Sequence, residues 1–361
     1  MKIANREIGG QAPAFIIAEL SANHNHNFDF AKTTIKAMKE SGADAVKLQT
    51  YTPDTMTLDS NNDCFKINQE TIWDGKTLYQ LYKDAYMPWE WQPKLKDFAE
   101  SIGLIFFSSP FDKTAVDFLE ELNVPCYKIA SFEITDIPLI QYVASKNKPI
   151  FIATGIAEIE DINLAIDTCK KYGNDNLILL KCTSSYPTQL TEMNLITIPD
   201  MANKFGNIVG LSDHSLGITA PITAVALGAK VIEKHFILDK TIGGPDASFS
   251  LEPNEFKEMV RCVRETEKIL GEVDYSLSDK IKKSRKLCKS IFVSKNIKKG
   301  DVLTEENIKV IRPGYGLHPK YYKEILGKKV VRNVEFGTPF SLDLVDIKGP
   351  NPLRLQKVDI L

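Results

Sequence analysis

Long apolar runs are absent from this 361-residue chain. None approaches the roughly 20 residues that cross a bilayer, so a membrane-spanning protein is not expected. Cysteine is sparse and scattered: Cys64, Cys126, Cys169, Cys182, Cys262 and Cys288 form no CxxC pair. That usage suits a reducing, cytoplasmic setting without a disulfide framework. Neither sign of charge dominates. The formal net charge of −2 gives no global reason to expect nucleic acid or a membrane surface as partner. Residues 1–12 carry Lys2, Arg6, Glu7 and two glycines in place of an apolar core, so no secretory leader is expected. The phosphate-cradling patterns GxGxxG and GxxxxGK[ST] are missing, as is the GxSxG elbow. A bound dinucleotide, a P-loop and a hydrolase elbow are therefore unsupported.

What the chain has is a rhythm. Its 43% apolar and 25% charged content is ordinary for a globular protein. Eight short apolar runs each end in chemically capable polar residues: AFIIAEL (14–20), AVKLQT (45–50), LIFFSSP (104–110), CYKIAS (126–131), PIFIATG (149–155), LILLKCTS (177–184), NIVGLSDH (207–214) and VIEKHFIL (231–238). Segments long enough for one helix each lie between them. Eight β-then-α units predict an α/β fold, a (β/α)8 TIM barrel, with its active site at the C-terminal ends of the strands.

Such a barrel takes about 250 residues, so a second domain is expected. Helical patterns fall at 28–41, 112–122, 138–146, 159–172, 218–227 and 253–270. The 218–227 pattern is apolar nearly all round and is expected to be buried between neighbours. The polar stretch 53–72 reads as a long loop over the barrel mouth. The aromatic segment 73–91, WDGKTLYQLYKDAYMPWEW, reads as a lid or rim helix, or else as a surface helix packed under that loop. The expected organisation is a catalytic barrel over 1–272, a polar, basic linker over 273–289, a small β-rich domain over 290–350 and a tail over 351–361. The turn sequences KKGD and EFGTP separate short apolar runs in the β-rich part.

The strand ends carry three kinds of chemistry. His214 and His235 close adjacent strands seven and eight, and two imidazoles on one rim suit a loosely held catalytic divalent ion or a pair of buried hydrogen-bonding histidines. Lys47, Lys128 and Lys181 lie in strands, with Ser108, Ser109, Ser131, Thr154, Thr183, Ser184 and Ser212 at or near strand ends. Lysines with hydroxyls make a cradle for phosphate or carboxylate. A lysine in a barrel wall must bring its ammonium to the mouth or leave it unpaired. Glu19 and Glu133 are placed to act as acid or base or to position a sugar hydroxyl. Glu233 precedes Lys234 and has a second reading, an ion pair with it on the outer face. Asp213 and Asp246 have turn or capping roles as alternatives. Asn23-His24-Asn25-His26, on the loop after strand one, reads as a polar loop, with metal binding as the alternative.

These residues, in this order, resemble the sialic acid synthase family. The motifs are Glu19 with Asn23-His24, KLQT (47–50), KIAS-x-E (128–133), ATG (153–155), CTSSYPT (182–188), GLSDHSLG (210–217), EKHF (233–236) and GGPDASFS (243–250). The segment from IKKGDVLTEENIKVIRPGYGL onward is similar to the family's antifreeze-like (SAF) domain, and residues 73–91 look more like the family's pseudaminic acid branch than its N-acetylneuraminate branch.

The resemblance implies a transferase that condenses phosphoenolpyruvate with the open-chain aldehyde of an acetamido sugar. For this branch the sugar would be 2,4-diacetamido-2,4,6-trideoxy-L-altrose, giving a nonulosonic acid and phosphate with cleavage of the C–O bond. N-acetylneuraminate and legionaminate synthases are the alternatives, and an inactive sugar-acid binding or assembly module is the reading from another class. It further implies a divalent metal, Mn²⁺ or Mg²⁺ or Co²⁺, on His214 and His235, with Glu19, Lys47 and Glu133 catalytic. Lys47, Ser109, Lys128, Ser131, Thr154, Ser184 and Ser212 would hold phosphoenolpyruvate, and Gln49, Tyr186 and Asp246 the sugar. Arg312 would reach the sugar from a partner subunit in a domain-swapped homodimer. Ser184 stands where N-acetylneuraminate synthases tend to have asparagine. Ala153 replaces a serine, which removes one hydroxyl.

Overall fold

A computed structural model describes residues 1–68 and 73–346. Residues 69–72 of the expected loop, the last positions of the expected β-rich domain and the 351–361 tail lie outside the described residues. The chain divides into two compact units, Met1–Gly271 and a second beginning at Glu272.

The first unit is a closed barrel of eight parallel strands. They are β1 (Phe15–Glu19), β2 (Ala45–Thr50), β3 (Ile105–Pro110), β4 (Tyr127–Ile129), β5 (Ile150–Ala153), β6 (Leu177–Cys182), β7 (Ile208–Asp213) and β8 (Val231–His235). Each lies inside one of the eight apolar runs, and β8 closes against β1. Parallel barrel strands are buried on both faces, which is why these runs are nearly continuous in apolar residues.

The two faces feed different cores. Val46, Leu48, Phe106 and Ile232 pack outward against the helices. Phe15, Ile17, Phe107, Phe151, Ile178 and Leu180 fill the interior. Phe151 stacks on Phe107 and Phe15 at ring-centroid distances of 5.4 and 6.3 Å. Burying each of these rings contributes roughly 1.5–3 kcal/mol. An N-terminal hairpin, Lys2–Ile3 with Arg6–Glu7, adds Ile3 and Ile8 to the same interior cluster. At Gly210 on β7 a Cβ would lie 2.5 Å from the Val231 carbonyl oxygen, so only glycine lets β7 and β8 approach there.

The helices follow local signals. Phe28–Glu40 starts at Asn27, whose side chain accepts the Phe30 N–H, and Pro253–Leu270 starts at a Glu252 capping box with proline in its first turn. Lys113–Glu121 is capped by Asp112. Ile137–Ala144 and Ile159–Lys171 also fall in their expected segments. The helix expected over 218–227 is Thr219–Ala226, and it is half-buried, not enclosed. Thr219, Thr223 and Ala226 face solvent, which costs little for such small side chains. Two helices do not stand out in the sequence, Gln92–Ser101 and Thr197–Phe205. Each carries a proline, Pro93 and Pro199, in its first turn, where proline is tolerated.

In the second unit, β9 (Ser290–Val293) pairs antiparallel with β10 (Ile308–Ile311). Ile291, Val293, Ile297, Leu303, Leu317, Ile325, Val330 and Phe340 form its own core. The segment read as a linker holds a short helix, Asp279–Ser284, capped by the Ser278 hydroxyl. Among the described residues no helix is long and apolar enough to cross a membrane.

Candidate active site

Strand period and register assemble a polar layer above the apolar interior. Glu19 sits beside Lys47 and His235, Gln49 beside Ser109, and Ser212 beside both Glu233 and Cys182. Side chains two apart on a strand share a face, so Lys47 and Gln49 point inward above Ala45, and Glu233 and His235 above Val231. Lys47 pairs with Glu19, lies 3.7 Å from Glu233 and donates to Ser109 Oγ at 3.4 Å. Lys128 donates to Glu233 Oε1 at 2.7 Å, and Ser212 donates to the same oxygen at 2.9 Å. Beside them, Ser184 Oγ donates to Ser131 Oγ at 2.7 Å, and the Ile156 N–H donates to Ser131 Oγ at 3.1 Å. A Cβ on Gly155 would lie 2.2 Å from Ser184 Oγ and 2.7 Å from Ser131 Oγ. The hydroxyl cradle therefore requires glycine at that position.

The electrostatics favour an anion. Burial pushes the Glu19 carboxyl up to about 7, with Lys47 offsetting only part of the effect. Burial likewise pushes Glu133 up to about 7. Burial would raise Glu233 too, but Lys128 and Lys47 outweigh it and hold Glu233 down at about 2. Lys47 is desolvated, yet Glu19 and Glu233 carry it above its ordinary value. Burial and the neighbouring Lys47 lower Lys128, with Glu233 opposing them. Near neutral pH the mouth thus holds a firmly charged Lys47, one firmly ionised carboxylate and two carboxyls poised to exchange protons.

The two histidines share the same pocket, with ring centroids 5.4 Å apart. Burial pushes His214 down to about 4 and His235 well below its usual value, so both are neutral imidazoles. His214 Nδ1 donates to the Thr183 carbonyl at 3.2 Å, which leaves the Nε2 lone pair for a ligand. His235 Nδ1 is buried without a hydrogen-bond partner, and Asp246 Oδ2 lies 3.6 Å from it. Among the described residues no cluster of three or more His, Cys, Asp or Glu is arranged around a metal ion. Two neutral imidazoles with an orphaned ring nitrogen fit a cation that completes its shell with water or substrate.

The pocket brings together most residues singled out in the sequence: Lys47, Gln49, Lys128, Ser131, Glu133, Tyr186, Ser212, His214, His235 and Asp246 line it. Glu19, Ser109 and Ser184 stand directly behind, bonded to lining residues. Thr154 instead gives its hydroxyl to the Leu180 carbonyl at 3.1 Å. Lys181 turns away and donates to the Cys182 carbonyl at 2.7 Å, and Ser108 pairs with Thr50 at 2.7 Å. Arg312 is exposed in the second unit, next after β10.

One reading is overturned. Glu233 does not pair with Lys234 on the outer face; Lys234 pairs with buried Asp213 at 2.6 Å, and Glu233 faces inward. The strand period had decided this, since His235 in the mouth forces Glu233 inward and Lys234 outward. Asp213 also accepts the Ser215 N–H at 2.9 Å, the turn role considered for it. Asn23 is likewise structural, donating to the Phe236 carbonyl at 2.9 Å and to Ser250 Oγ at 2.8 Å. Residues not anticipated in the lining include Tyr51, Met56, Phe111 and Cys182.

Comparison with known proteins places the chain in a family. The model of the NeuB family matches residues 34–275, and that of the SAF domain matches residues 289–346. The pseudaminic acid synthase of Campylobacter jejuni is 48% identical over 90% of this chain and 94% of its own. That of Helicobacter pylori is 48% identical over 92% of this chain and 98% of its own. The crystal structure of an N-acetylneuraminic acid synthetase from Leptospira borgpetersenii, in complex with citrate, is 31% identical with a TM-score of 0.71, covering 79% of this chain and 94% of that one. The barrel whose strand ends converge on these lysines, carboxylates and histidines belongs to the NeuB family, and the unit that follows it is a SAF domain.

Proposed function

We propose that this chain is a pseudaminic acid synthase, a transferase that joins phosphoenolpyruvate to the aldehyde of 2,4-diacetamido-2,4,6-trideoxy-L-altrose. The observation that carries the reading is 48% identity to synthases of that name over nine-tenths of the chain. The charge pattern supports it. Lys47 and Lys128, with the Ser131–Ser184 hydroxyl pair and Ser109 and Ser212 nearby, suit the carboxylate and phosphate of phosphoenolpyruvate. Thr154 contributes at most through its backbone, its hydroxyl being bonded elsewhere.

Carbon 3 of the enol attacks the aldehyde, cationic character develops at carbon 2, and water adds there. The resulting tetrahedral centre expels phosphate with its bridging oxygen. Glu19, poised near neutrality and paired with Lys47, takes the proton from that water and steadies the cation. Glu133, also near neutrality, shuttles a proton at the sugar oxygen. Gln49, Tyr186 and Asp246 position the sugar chain. A divalent cation, Mn²⁺, Mg²⁺ or Co²⁺, would be held by His214 and His235 and would supply Lewis-acid polarisation of the aldehyde when bound.

A domain-swapped homodimer is part of the proposal. Phe132, Ile156, Leu190 and Leu216, in the loops after β4 to β7, are 58, 44, 62 and 59% exposed. An apolar collar of that kind around an active-site mouth favours a covering partner. In the SAF unit, Ile311 and Tyr315 are exposed around Arg312, which suits delivery of Arg312 to the partner's sugar. We place the enzyme in the cytoplasm, a reducing compartment that suits its six free cysteines.

The test is incubation with phosphoenolpyruvate, Mn²⁺ or Mg²⁺ and each of three sugars: the diacetamido altrose, its legionaminate-forming isomer and N-acetylmannosamine. Phosphate release with the first, stopped by EDTA, and a nonulosonic acid identified by mass and NMR are expected. Turnover of another sugar alone would reassign the substrate, and no release with any would leave only the binding-module reading.

A further inference from the structure

The loop after β1 carries two histidines that the reaction above does not use. Asn23 ties this loop to β8 and to Ser250. Asn25 and His26 adopt φ of 45° and 49°, left-handed backbone that asparagine and histidine accept more readily than most residues. The two rings then reach the same target. His26 Nε2 donates to the Asp84 carbonyl at 2.8 Å, and His24 Nε2 donates to the Ala85 carbonyl at 3.3 Å. His24 Nδ1 accepts the His26 N–H at 3.2 Å, so His24 is the neutral Nε2–H tautomer. Asp84 and Ala85 end the helix Leu78–Ala85, whose last carbonyls have no partner within the helix. His24 also meets Trp91 edge-on at 5.9 Å, and His26 meets Tyr86 at 5.9 Å.

The helix so clamped forms part of the pocket wall. Leu81 and Ala85 line it together with Met56 and Phe111. These side chains offer no hydrogen-bonding group. Tyr82 of the same helix and Tyr51 flank this patch with their phenol rings, and the charged lining residues, Lys47, Lys128, Glu133, Glu233 and Asp246, come from elsewhere in the chain. The pocket therefore suits a chain that is polar at its reacting end and bears a methyl group at this patch, because a hydroxymethyl against Leu81, Ala85, Met56 and Phe111 would lose its hydrogen bonds to water.

We propose that His24 and His26 are positioning residues for the sugar, aiming helix Leu78–Ala85 so that Leu81 and Ala85 form an apolar subsite for the methyl groups of an acetamido deoxy-sugar. This rests on the synthase reading above. The latch joins the barrel strand that carries His235 to the wall, so it sets the distance between reacting carbon and methyl groups.

The experiment is steady-state kinetics on the full-length enzyme. His24→Phe and His26→Phe remove one donor each, and His24→Gln restores an amide that can donate to the Ala85 carbonyl. Loss of one such bond is expected to raise the sugar KM roughly five- to tenfold, with the phosphoenolpyruvate KM unchanged and His24→Gln near wild type. Leu81→Asn is expected to lower kcat/KM for the diacetamido trideoxy sugar relative to N-acetylmannosamine. Should His24→Phe fail to fold, His26→Phe at an exposed position carries the same test. Equal rises in both KM values, or an unchanged sugar KM, overturn the latch. An unchanged sugar ratio in Leu81→Asn overturns the subsite. If wild type uses only another acetamido sugar, the synthase assignment fails separately, and the KM split measured with that sugar still decides the latch.

Discussion

Glu233 is the anion on which the mouth's charge balance turns, and Glu233→Gln tests that. Its pKa lies at about 2 against an ordinary 4.5, a difference worth roughly 3 kcal/mol at about 1.4 kcal/mol per unit. A depressed carboxyl stabilises the fold above pH 4.5, and the contribution is lost as pH falls through about 2. At neutral pH the variant should therefore lose up to that amount, in the range found when one partner of a buried pair is removed. For a unit of this size the barrel transition should fall by roughly 6–12 °C in a thermal melt.

Glu19 responds in the opposite sense. Its pKa is raised to about 7, partly by repulsion from Glu233, so its contribution is full below pH 4.5 and fades as pH rises through about 7. Without Glu233 the Glu19 pKa falls. If Glu19 is the base, the acidic limb of the kcat/KM profile then moves to lower pH, while the phosphoenolpyruvate KM rises as Lys128 loses its partner at 2.7 Å. A variant with wild-type melting temperature, wild-type phosphoenolpyruvate KM and an unmoved acidic limb would falsify this account of the charge balance.

Two further outcomes are expected. Gly155→Ala places a Cβ 2.2 Å from Ser184 Oγ and should raise the phosphoenolpyruvate KM by roughly ten- to a hundredfold through misplaced hydroxyls; unchanged kinetics would remove the Ser131–Ser184 pair from the anion site. Arg312→Ala and Lys47→Met should each be inactive, yet mixing and reassociating them should restore about a quarter of wild-type activity, because in the proposed domain-swapped homodimer half the dimers then hold one intact shared site. Persistent inactivity of the mixture, with heterodimers demonstrated by mass, would count against sharing.

The barrel was legible because a parallel sheet writes each strand as a bounded apolar run, and all eight runs hold their strands. The same property hid which way each side chain points. In β6 both alternations are apolar: Leu177 and Leu179 pack outward while Ile178 and Leu180 pack inward. Nothing in that run alone says that Lys181 turns from the mouth. In β8 the ambiguity was resolvable, because His235 and Glu233 share a parity and Lys234 takes the other. The pocket's apolar side was hidden for a different reason. The segment 73–91 already reads as a rim helix, but the end of its helix is held by bonds from His24 and His26 to the Ala85 and Asp84 carbonyls, some 60 positions away, and such a contact leaves no local trace.

What local chemistry does reveal is the cost of charge in a barrel. An ammonium or carboxylate in a wall that otherwise buries Phe, Ile and Leu survives only with a partner across the interior. Lys47, Lys128, Glu19 and Glu233, drawn from four strands, therefore had to meet one another. Their cluster is readable from residue type and fold together, whereas neither the identity of the sugar nor the aim of the wall follows from it.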